Sequence, residues 1–178
     1  LITSSIRHLK SLGKEVHFDA EHFFDGFAAN KKYAISIVKE AMAAGADWVV
    51  LCDTNGGCMP NQVAETIESL IEEGVDASRL GIHAHNDTEN AVANSLAAVQ
   101  AGVRQIQGTL NGLGERCGNA NLISILPTLL LKPQFAEKFV TGVTSDSLKE
   151  ITRASRIMDD VLNRVPNRFA PYVGSSAF

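Results

Sequence analysis

Two histidines, His83 and His85, stand one residue apart in the segment LGIHAHND, residues 80–87. The apolar residues before them are typical of a buried strand, and residues i and i+2 of a strand point to the same face. The two rings therefore lie about one pleat apart, close enough to bind one cation together. Neutral imidazole suits Zn²⁺, Mn²⁺ or Fe²⁺. The spacing alone leaves a second interpretation open, in which both are ordinary polar residues at a strand end.

Three further residues of suitable chemistry follow other strand patterns. Glu21 follows the first strand, where its carboxylate could orient a substrate or transfer a proton. Thr54 follows the second strand, and its hydroxyl could donate to a substrate carboxylate. Asn119 lies in the loop GERCGNAN, where its amide oxygen is a neutral ligand. Each also has a structural interpretation, as a solvated acid, a turn residue and a helix cap respectively.

The cysteines are not expected to take part in the chemistry. Cys117 lies in the same loop as Asn119, and we expect a buried, inert thiol there rather than a nucleophile. The chain has 3 cysteines, an odd number, and no secretory signal in its sequence. Reduced thiols and a cytoplasmic protein are therefore favoured over a disulfide framework.

The elements that must position these residues alternate between strand and helix. Strand patterns end near residues 19, 53, 86 and 109, and this alternation predicts an α/β protein with a parallel sheet. Such a sheet is either small and doubly wound or one half of an eight-stranded TIM barrel. The polar breaks DAEHFFDG, CDTNGG, HAHND and NGLGERCGNAN all follow strands, and no phosphate-cradling motif is present. The half barrel is therefore favoured.

The C-terminal part is predicted to be helical. Residues 144–165 carry an apolar stripe that predicts one final helix. Its inward-facing residues are expected to be Leu148, Ile151, Met158, Val161 and Leu162. We accordingly divide the chain into residues 1–140, half of a catalytic TIM-barrel domain, and residues 141–178, a helical segment with the start of a post-barrel linker.

Composition excludes two classes of partner. The formal net charge of -4 lacks the basic footprint of a nucleic-acid-binding protein. No apolar run approaches the roughly 18 residues that cross a bilayer, so a membrane partner is not expected either. Small molecules are the favoured partners. Because the chain begins at Leu1 rather than Met, we expect it to be part of a longer protein.

Four motifs, taken together, resemble one family of enzymes. DAEHFFDGF, LCDTNGG, GIHAHND and QGTLNGLGERCGNANL, in this order and at strand ends, are similar to the catalytic TIM barrel of a known group. That group comprises 2-isopropylmalate synthase, homocitrate synthase, citramalate synthase and hydroxymethylglutaryl-CoA lyase. The match covers essentially the whole chain and implies the C-terminal half of the (β/α)8 barrel. The first two motifs and VPNRFAPYVGSSAF look most like the citramalate synthase branch.

The resemblance implies an acyltransferase that joins acetyl-CoA to a 2-oxo acid in a Claisen-type condensation. With pyruvate the product is citramalate, an intermediate of isoleucine biosynthesis. His83 and His85 match the family's two histidine ligands of a divalent metal ion (Mg, Mn or Zn), and Asn119 matches a further ligand or near-ligand. Glu21 matches a catalytic glutamate, and Thr54 matches a threonine that binds the 2-oxo acid carboxylate. Related synthases are commonly dimers, so a homodimer of the full-length protein is implied.

This chain also departs from the family pattern. The family's first barrel strand carries an Asp-Arg pair, in which the Asp is a metal ligand, and these residues contain no counterpart. We therefore expect the isolated segment to have little or no activity. One alternative is 2-isopropylmalate synthase, which uses 2-oxoisovalerate for leucine biosynthesis. Another is a non-catalytic metal-binding or oligomerisation domain. A lyase is disfavoured because related lyases carry their loop cysteine in a GGCP setting, whereas Cys117 lies in GERCGNA.

Overall fold

A computed structural model describes residues 1–177, which contain one parallel sheet. Its strands are β1 (His17–Ala20), β2 (Trp48–Asp53), β3 (Leu80–Ala84) and β4 (Gln105–Gln107), in the sheet order β1-β2-β3-β4. All three pairings are parallel. Each strand lies beside the next one in sequence, without the reversal of order that defines a doubly wound sheet. The predicted α/β class and parallel sheet are confirmed, and the strand order agrees with half of a barrel.

Helices connect the strands and continue after the sheet. They are α1 (Ile2–Ser11), α2 (Phe23–Ala29), α3 (Lys31–Ala44), α4 (Pro60–Glu72), α5 (Ala91–Ala101), α6 (Leu122–Leu131), α7 (Pro133–Ala136), α8 (Ser145–Leu148) and α9 (Ile151–Val161). Asn30 caps α3 by accepting a hydrogen bond from the Tyr33 backbone N–H at 3.1 Å. Among residues 1–177, every helix is too short or too polar to span a bilayer.

The two faces of the sheet differ in polarity. On β3, Leu80, Ile82 and Ala84 are fully buried in the apolar core that the helices cover. Because side chains alternate along a strand, His83 points to the opposite face, which we call the inner face. Parallel register carries this alternation across the sheet. The inner face accordingly presents His17, Asp19, Trp48, Val50, Cys52, Gly81, His83, Gln105 and Gln107.

Side chains of the two edge strands meet across the inner face. Gln105 Nε2 of β4 lies 2.8 Å from His17 Nδ1 of β1, and Gln107 Nε2 donates to Asp19 Oδ1 at 3.1 Å. Two strands separate β1 from β4 in the sheet. These contacts therefore require a strongly curled sheet, which is the shape of a barrel wall.

Two predictions about where helices lie are wrong in detail. The motif DAEHFFDGF is not simply a polar break, because Phe23 and Phe24 are buried and begin α2. The single helix predicted over residues 144–165 is divided into α8 and α9.

The orientation of α9 also differs from the apolar pattern. Val161 and Leu162 are 76% and 39% exposed instead of inward-facing. The reason is that α9 turns a polar side toward the loop after β4, where Ser155 Oγ donates to Asn111 Oδ1 at 2.7 Å.

The core assignment can be tested with a matched pair of isoleucines. Ile82→Ala should lower the free energy of unfolding by about 2–5 kcal/mol, because it removes buried contacts and leaves a cavity in β3. Ile71→Ala in α4, where the side chain is 42% exposed, should cost less than about 1 kcal/mol. Urea denaturation measures both in the complete protein, meaning this chain with any sequence that adjoins it in its gene. Equal losses would contradict the assignment.

Candidate active site

His83 and His85 lie together at the carboxyl end of β3. Their ring centroids are 5.2 Å apart and the ring planes are inclined by 58°. In the register of the sheet, His83 stands between Cys52 of β2 and Gln107 of β4. His85 lies just past the strand and pairs with Asn119 through an isolated backbone bridge. The two imidazoles are therefore neighbours, as the spacing predicts.

Asn119 contacts this histidine pair directly. Its side-chain Nδ2 donates to His83 Nε2 at 3.0 Å, and the residue is 8% exposed. Helix α6 is capped instead by Asn121, whose Oδ1 accepts from the Ile123 N–H at 3.0 Å. A Cβ at Gly114 would lie 1.7 Å from Asn119 Oδ1, so the loop approaches this amide more closely than any other residue type allows. The amide of Asn119 is therefore part of the site and not a helix cap.

Glu21 and Thr54 form a second group, at the ends of β1 and β2. Thr54 Oγ1 donates to Glu21 Oε2 at 2.7 Å and accepts from the backbone N–H of His22 at 2.8 Å. Burial, followed by the charges of Asp19 and Glu21, raises the pKa of the Cys52 thiol to about 12. Cys52 is the register neighbour of His83, so the Glu21 charge acts on a residue that lies beside the histidine pair.

An ion pair links the loops that follow β2, β3 and β4. The Arg116 guanidinium donates to both carboxylate oxygens of Asp87, at 2.8 and 2.9 Å, and to the backbone carbonyl of Thr54 at 2.7 Å. The hydrogen bond from Arg116 is the main cause that holds the pKa of Asp87 below its ordinary value. These two residues were not singled out by pattern. Their signal is two opposite charges, each placed in a loop directly after a strand.

Asp53 is a buried carboxylate that sequence patterns also miss. It is 3% exposed and accepts hydrogen bonds from the backbone N–H groups of Gly57 and Cys58, at 3.2 and 3.3 Å. Asn94 Nδ2 of α5 also lies 3.3 Å from it. These bonds hold the turn that follows Thr54 against the helical layer, so Asp53 supports the site without facing it.

The electrostatics favour a neutral His85. Burial is the main cause that lowers the pKa of His85, and the Arg116 guanidinium and the His83 ring add to it. A neutral ring keeps a lone pair that can bind a metal ion. Within residues 1–177, no cluster of three or more His, Cys, Asp or Glu side chains is placed to hold a metal ion. The two imidazoles and the Asn119 amide lie in contact at this position.

The prediction of a buried thiol at Cys117 is wrong. Cys117 is exposed, since residues 114–117 all lie on the surface of the loop. Cys52 is buried and Cys58 is partly buried. Burial is the main cause that raises the pKa of each of these two thiols to about 12, with the nearby Asp53 carboxylate adding to it at Cys58.

The comparison with known proteins decides the family. The model of HMGL-like proteins matches residues 1–156. The chain belongs to the HMGL-like family. The (R)-citramalate synthase of Aquifex aeolicus is 49% identical over 178 residues, covering 100% of this chain and 33% of that protein. The 2-isopropylmalate synthase of Methylacidiphilum infernorum is 36% identical over 180 residues, covering 100% and 34%. The chain thus spans about a third of the length of these HMGL-like relatives.

A solved structure supports the fold assignment of this HMGL-like chain. The crystal structure of the Bacillus subtilis HMG-CoA lyase superposes with a TM-score of 0.64 at 25% sequence identity. The match covers 77% of this chain and 45% of that chain. The expected resemblance and the part-barrel architecture of this HMGL-like chain are both confirmed.

The thiols of this HMGL-like chain should differ sharply in reactivity. At pH 8, Cys117 should be alkylated by iodoacetamide, whereas Cys52 and Cys58 should stay largely unmodified. A thiol with a pKa of about 12 has only about 10⁻⁴ of its population as thiolate at this pH. Peptide mass spectrometry measures the extents, and the urea-unfolded protein, in which all three react, is the control. Modification of Cys52 as fast as Cys117 would disprove the assignment.

Proposed function

We propose that the complete protein is a citramalate synthase of the HMGL-like family, a metal-dependent acyltransferase acting in isoleucine biosynthesis in the cytoplasm. The observation that carries the proposal is the contact of Asn119 with the His83–His85 pair, beside the Glu21–Thr54 pair at the same edge of the sheet. In barrels of this kind, catalytic residues collect at the carboxyl ends of several strands. The 49% identity to an (R)-citramalate synthase supports this choice of reaction.

In the proposed reaction, the methyl carbon of acetyl-CoA forms a bond to the keto carbon of pyruvate. The methyl group loses one proton, and the keto oxygen gains one to become the hydroxyl of citramalate. Hydrolysis of the thioester by water then releases CoA and leaves a carboxylate. Negative charge therefore develops on the former keto oxygen, and one group must accept the methyl proton.

The residues present fit a divalent metal ion. His85 Nδ1 is buried and has no hydrogen-bond partner within residues 1–177, as is expected of a polar atom in a ligand site. We propose that His83 and His85 would hold the ion through unprotonated nitrogens. Asn119 would contribute its amide oxygen after rotation of the side-chain amide, because in this structure its Nδ2 is the atom that faces His83. A bound Mg, Mn or Zn ion would act as a Lewis acid toward the developing alkoxide, a contribution on the order of several kcal/mol. Three donors are fewer than the four or more ligands that such ions usually take, so substrate or water would supply the others.

Thr54 and Glu21 have complementary roles in this proposal. The Thr54 hydroxyl accepts a hydrogen bond from the His22 N–H. It has only one proton to donate, and in this structure that proton goes to Glu21. A bound 2-oxo acid offers its carboxylate as a competing acceptor. Transfer of the hydrogen bond to the substrate would free the Glu21 carboxylate for proton transfer, a type of catalysis that typically contributes about 10²- to 10⁴-fold.

Two alternatives keep specific support. The 36% identity to a 2-isopropylmalate synthase supports the same chemistry on 2-oxoisovalerate. A non-catalytic metal-binding barrel is consistent with the incomplete ligand set of residues 1–177. The division at residue 140, the homodimer, the absence of nucleic-acid and membrane partners, and the inactivity of the isolated segment stay predictions.

Substrate preference tests the choice of synthase. The complete protein should release CoA from acetyl-CoA with a kcat/KM for pyruvate about 10-fold or more above that for 2-oxoisovalerate, because a pocket fitted to a methyl group excludes a branched one. A thiol reagent measures the free CoA. EDTA should abolish the turnover, and added divalent metal should restore it. Preference for 2-oxoisovalerate would move the assignment to 2-isopropylmalate synthase, and tight metal binding without turnover would favour the non-catalytic domain.

The role of Thr54 predicts a selective kinetic defect. Thr54→Val should lower kcat/KM for pyruvate about 10- to 100-fold, since a hydrogen bond to a charged group contributes about 1.5–3 kcal/mol. Thr54→Ser, which keeps the hydroxyl, should retain most of the activity. Thr128→Val is the matched control, because that hydroxyl donates to Ser124 within α6. An increase in KM for acetyl-CoA alone would argue against the proposed role.

A further inference from the structure

A continuous line of side-chain hydrogen bonds crosses the inner face and ends at the candidate metal site. Asp19 Oδ1 of β1 accepts from Gln107 Nε2 of β4 at 3.1 Å. Gln107 Oε1 lies 2.8 Å from His83 Nδ1 of β3. His83 Nε2 in turn lies 3.0 Å from Asn119 Nδ2. One glutamine therefore connects a carboxylate on the far edge of the sheet to the histidine.

The chemistry of these groups fixes the direction of each bond. A carboxylate accepts hydrogen bonds and does not donate them, so the amide nitrogen of Gln107 must face Asp19. The amide oxygen of Gln107 then faces His83, and because this oxygen only accepts, His83 Nδ1 must carry the proton. In the neutral ring, Nε2 is left with the lone pair, which accepts from the Asn119 amide.

We propose that Gln107, oriented by Asp19, is a positioning residue that holds His83 in the tautomer with the proton on Nδ1 and the lone pair on Nε2. Asp19 contributes only through Gln107. The inference rests on the proposed function in one respect, because the use assigned to this tautomer is to present an unprotonated nitrogen to a metal ion. A hydrogen-bond acceptor on the non-ligating nitrogen is the usual means by which proteins orient such a ring.

His85 provides an internal contrast two residues away. Its Nδ1 is buried and has no hydrogen-bond partner among residues 1–177. The protein thus fixes the tautomer of one ring of the pair and leaves the other without such a partner. The sequence alone locates Gln107 at the end of the fourth strand pattern. Only the register of β3 with β4 shows that it lies beside His83.

The tautomer itself is the first readout, and it needs no metal and no substrate. In the metal-free complete protein at pH 8, labelled with ¹⁵N in its histidine rings, solid-state NMR distinguishes a protonated Nδ1 from a protonated Nε2. The His83 signals are assigned by their loss in His83→Gln. We expect a protonated Nδ1 in the unmodified protein and a shift of population toward protonated Nε2 in Gln107→Met. A protonated Nε2 in the unmodified protein would overturn the proposal.

Metal affinity is the second readout, and a polarity swap makes it specific. Gln107→Met should weaken binding of Mn²⁺ or Zn²⁺, measured by calorimetry, about 10- to 100-fold. The double variant Asp19→Asn with Gln107→Glu should restore it, because the new carboxylate on β4 accepts from His83 Nδ1 and the new amide on β1 donates to that carboxylate. Gln105→Met is the matched control, since Gln105 contacts His17 instead of His83. It should change neither the tautomer nor the affinity.

These outcomes separate the inference from the proposed function. Suppose that the expected tautomer and its response to Gln107→Met are found, but the protein condenses acetyl-CoA with neither oxo acid. This result would support the positioning role and contradict the synthase assignment. Full synthase activity in a protein whose His83 tautomer is unchanged by Gln107→Met would support the synthase assignment and contradict the positioning role. If Gln107→Met fails to fold, the positioning role can still be tested with the unmodified protein and the double variant. A double variant that binds metal as weakly as His83→Gln would contradict the proposal.

Discussion

The candidate site depends on the alternation of side chains along β3. Leu80, Ile82 and Ala84 are fully buried against the helices, and this burial leaves His83 on the inner face. A slip of one residue in register would turn the imidazole into the apolar core and expose three aliphatic side chains. In the observed register, Cys52 and Gln107 are the neighbours of His83 on either side. Hydrophobic burial on one face of the sheet thus fixes the position of a polar group on the other.

Polar groups on the inner face must find partners, because an unpaired buried polar atom costs about 1–3 kcal/mol. Most of them bond to one another across the curled sheet, which is why edge strands β1 and β4 are joined through Asp19 and Gln107. Among the described residues, the buried exceptions are Gln105 Oε1 on this face and His85 Nδ1 just past the end of β3. One of the two is an imidazole of the candidate metal site. Groups left unsatisfied at a concave polar face serve stability poorly, and they are the ones that a bound ligand can satisfy.

Local patterns predicted much of this arrangement and missed its long-range parts. The period of two in β3 and the strand patterns that end near residues 19, 53, 86 and 109 are properties of neighbouring residues, so the strands and the paired histidines were predictable. Glu21 and Thr54 could be named singly, but their hydrogen bond joins residues 33 positions apart. Val161 and Leu162 follow a helical stripe, yet they stay exposed because the contact of Ser155 with Asn111 decides the orientation of α9. No periodicity encodes such contacts.

The loop contacts explain how exposed residues can form a defined site. Thr54 is held at two atoms, its carbonyl oxygen by Arg116 and its hydroxyl oxygen by the His22 N–H. Arg116 is itself fixed by two bonds to Asp87, in the loop that continues from the histidine strand. The same loop that brings Asn119 to the histidine pair therefore also sets the position of the threonine. If Arg116 lost Asp87, both ends of the site would move together, because one guanidinium connects the loops after β2, β3 and β4. Preorganisation of this kind matters most where a small substrate must meet several groups at once, since small errors in position weaken every contact with it.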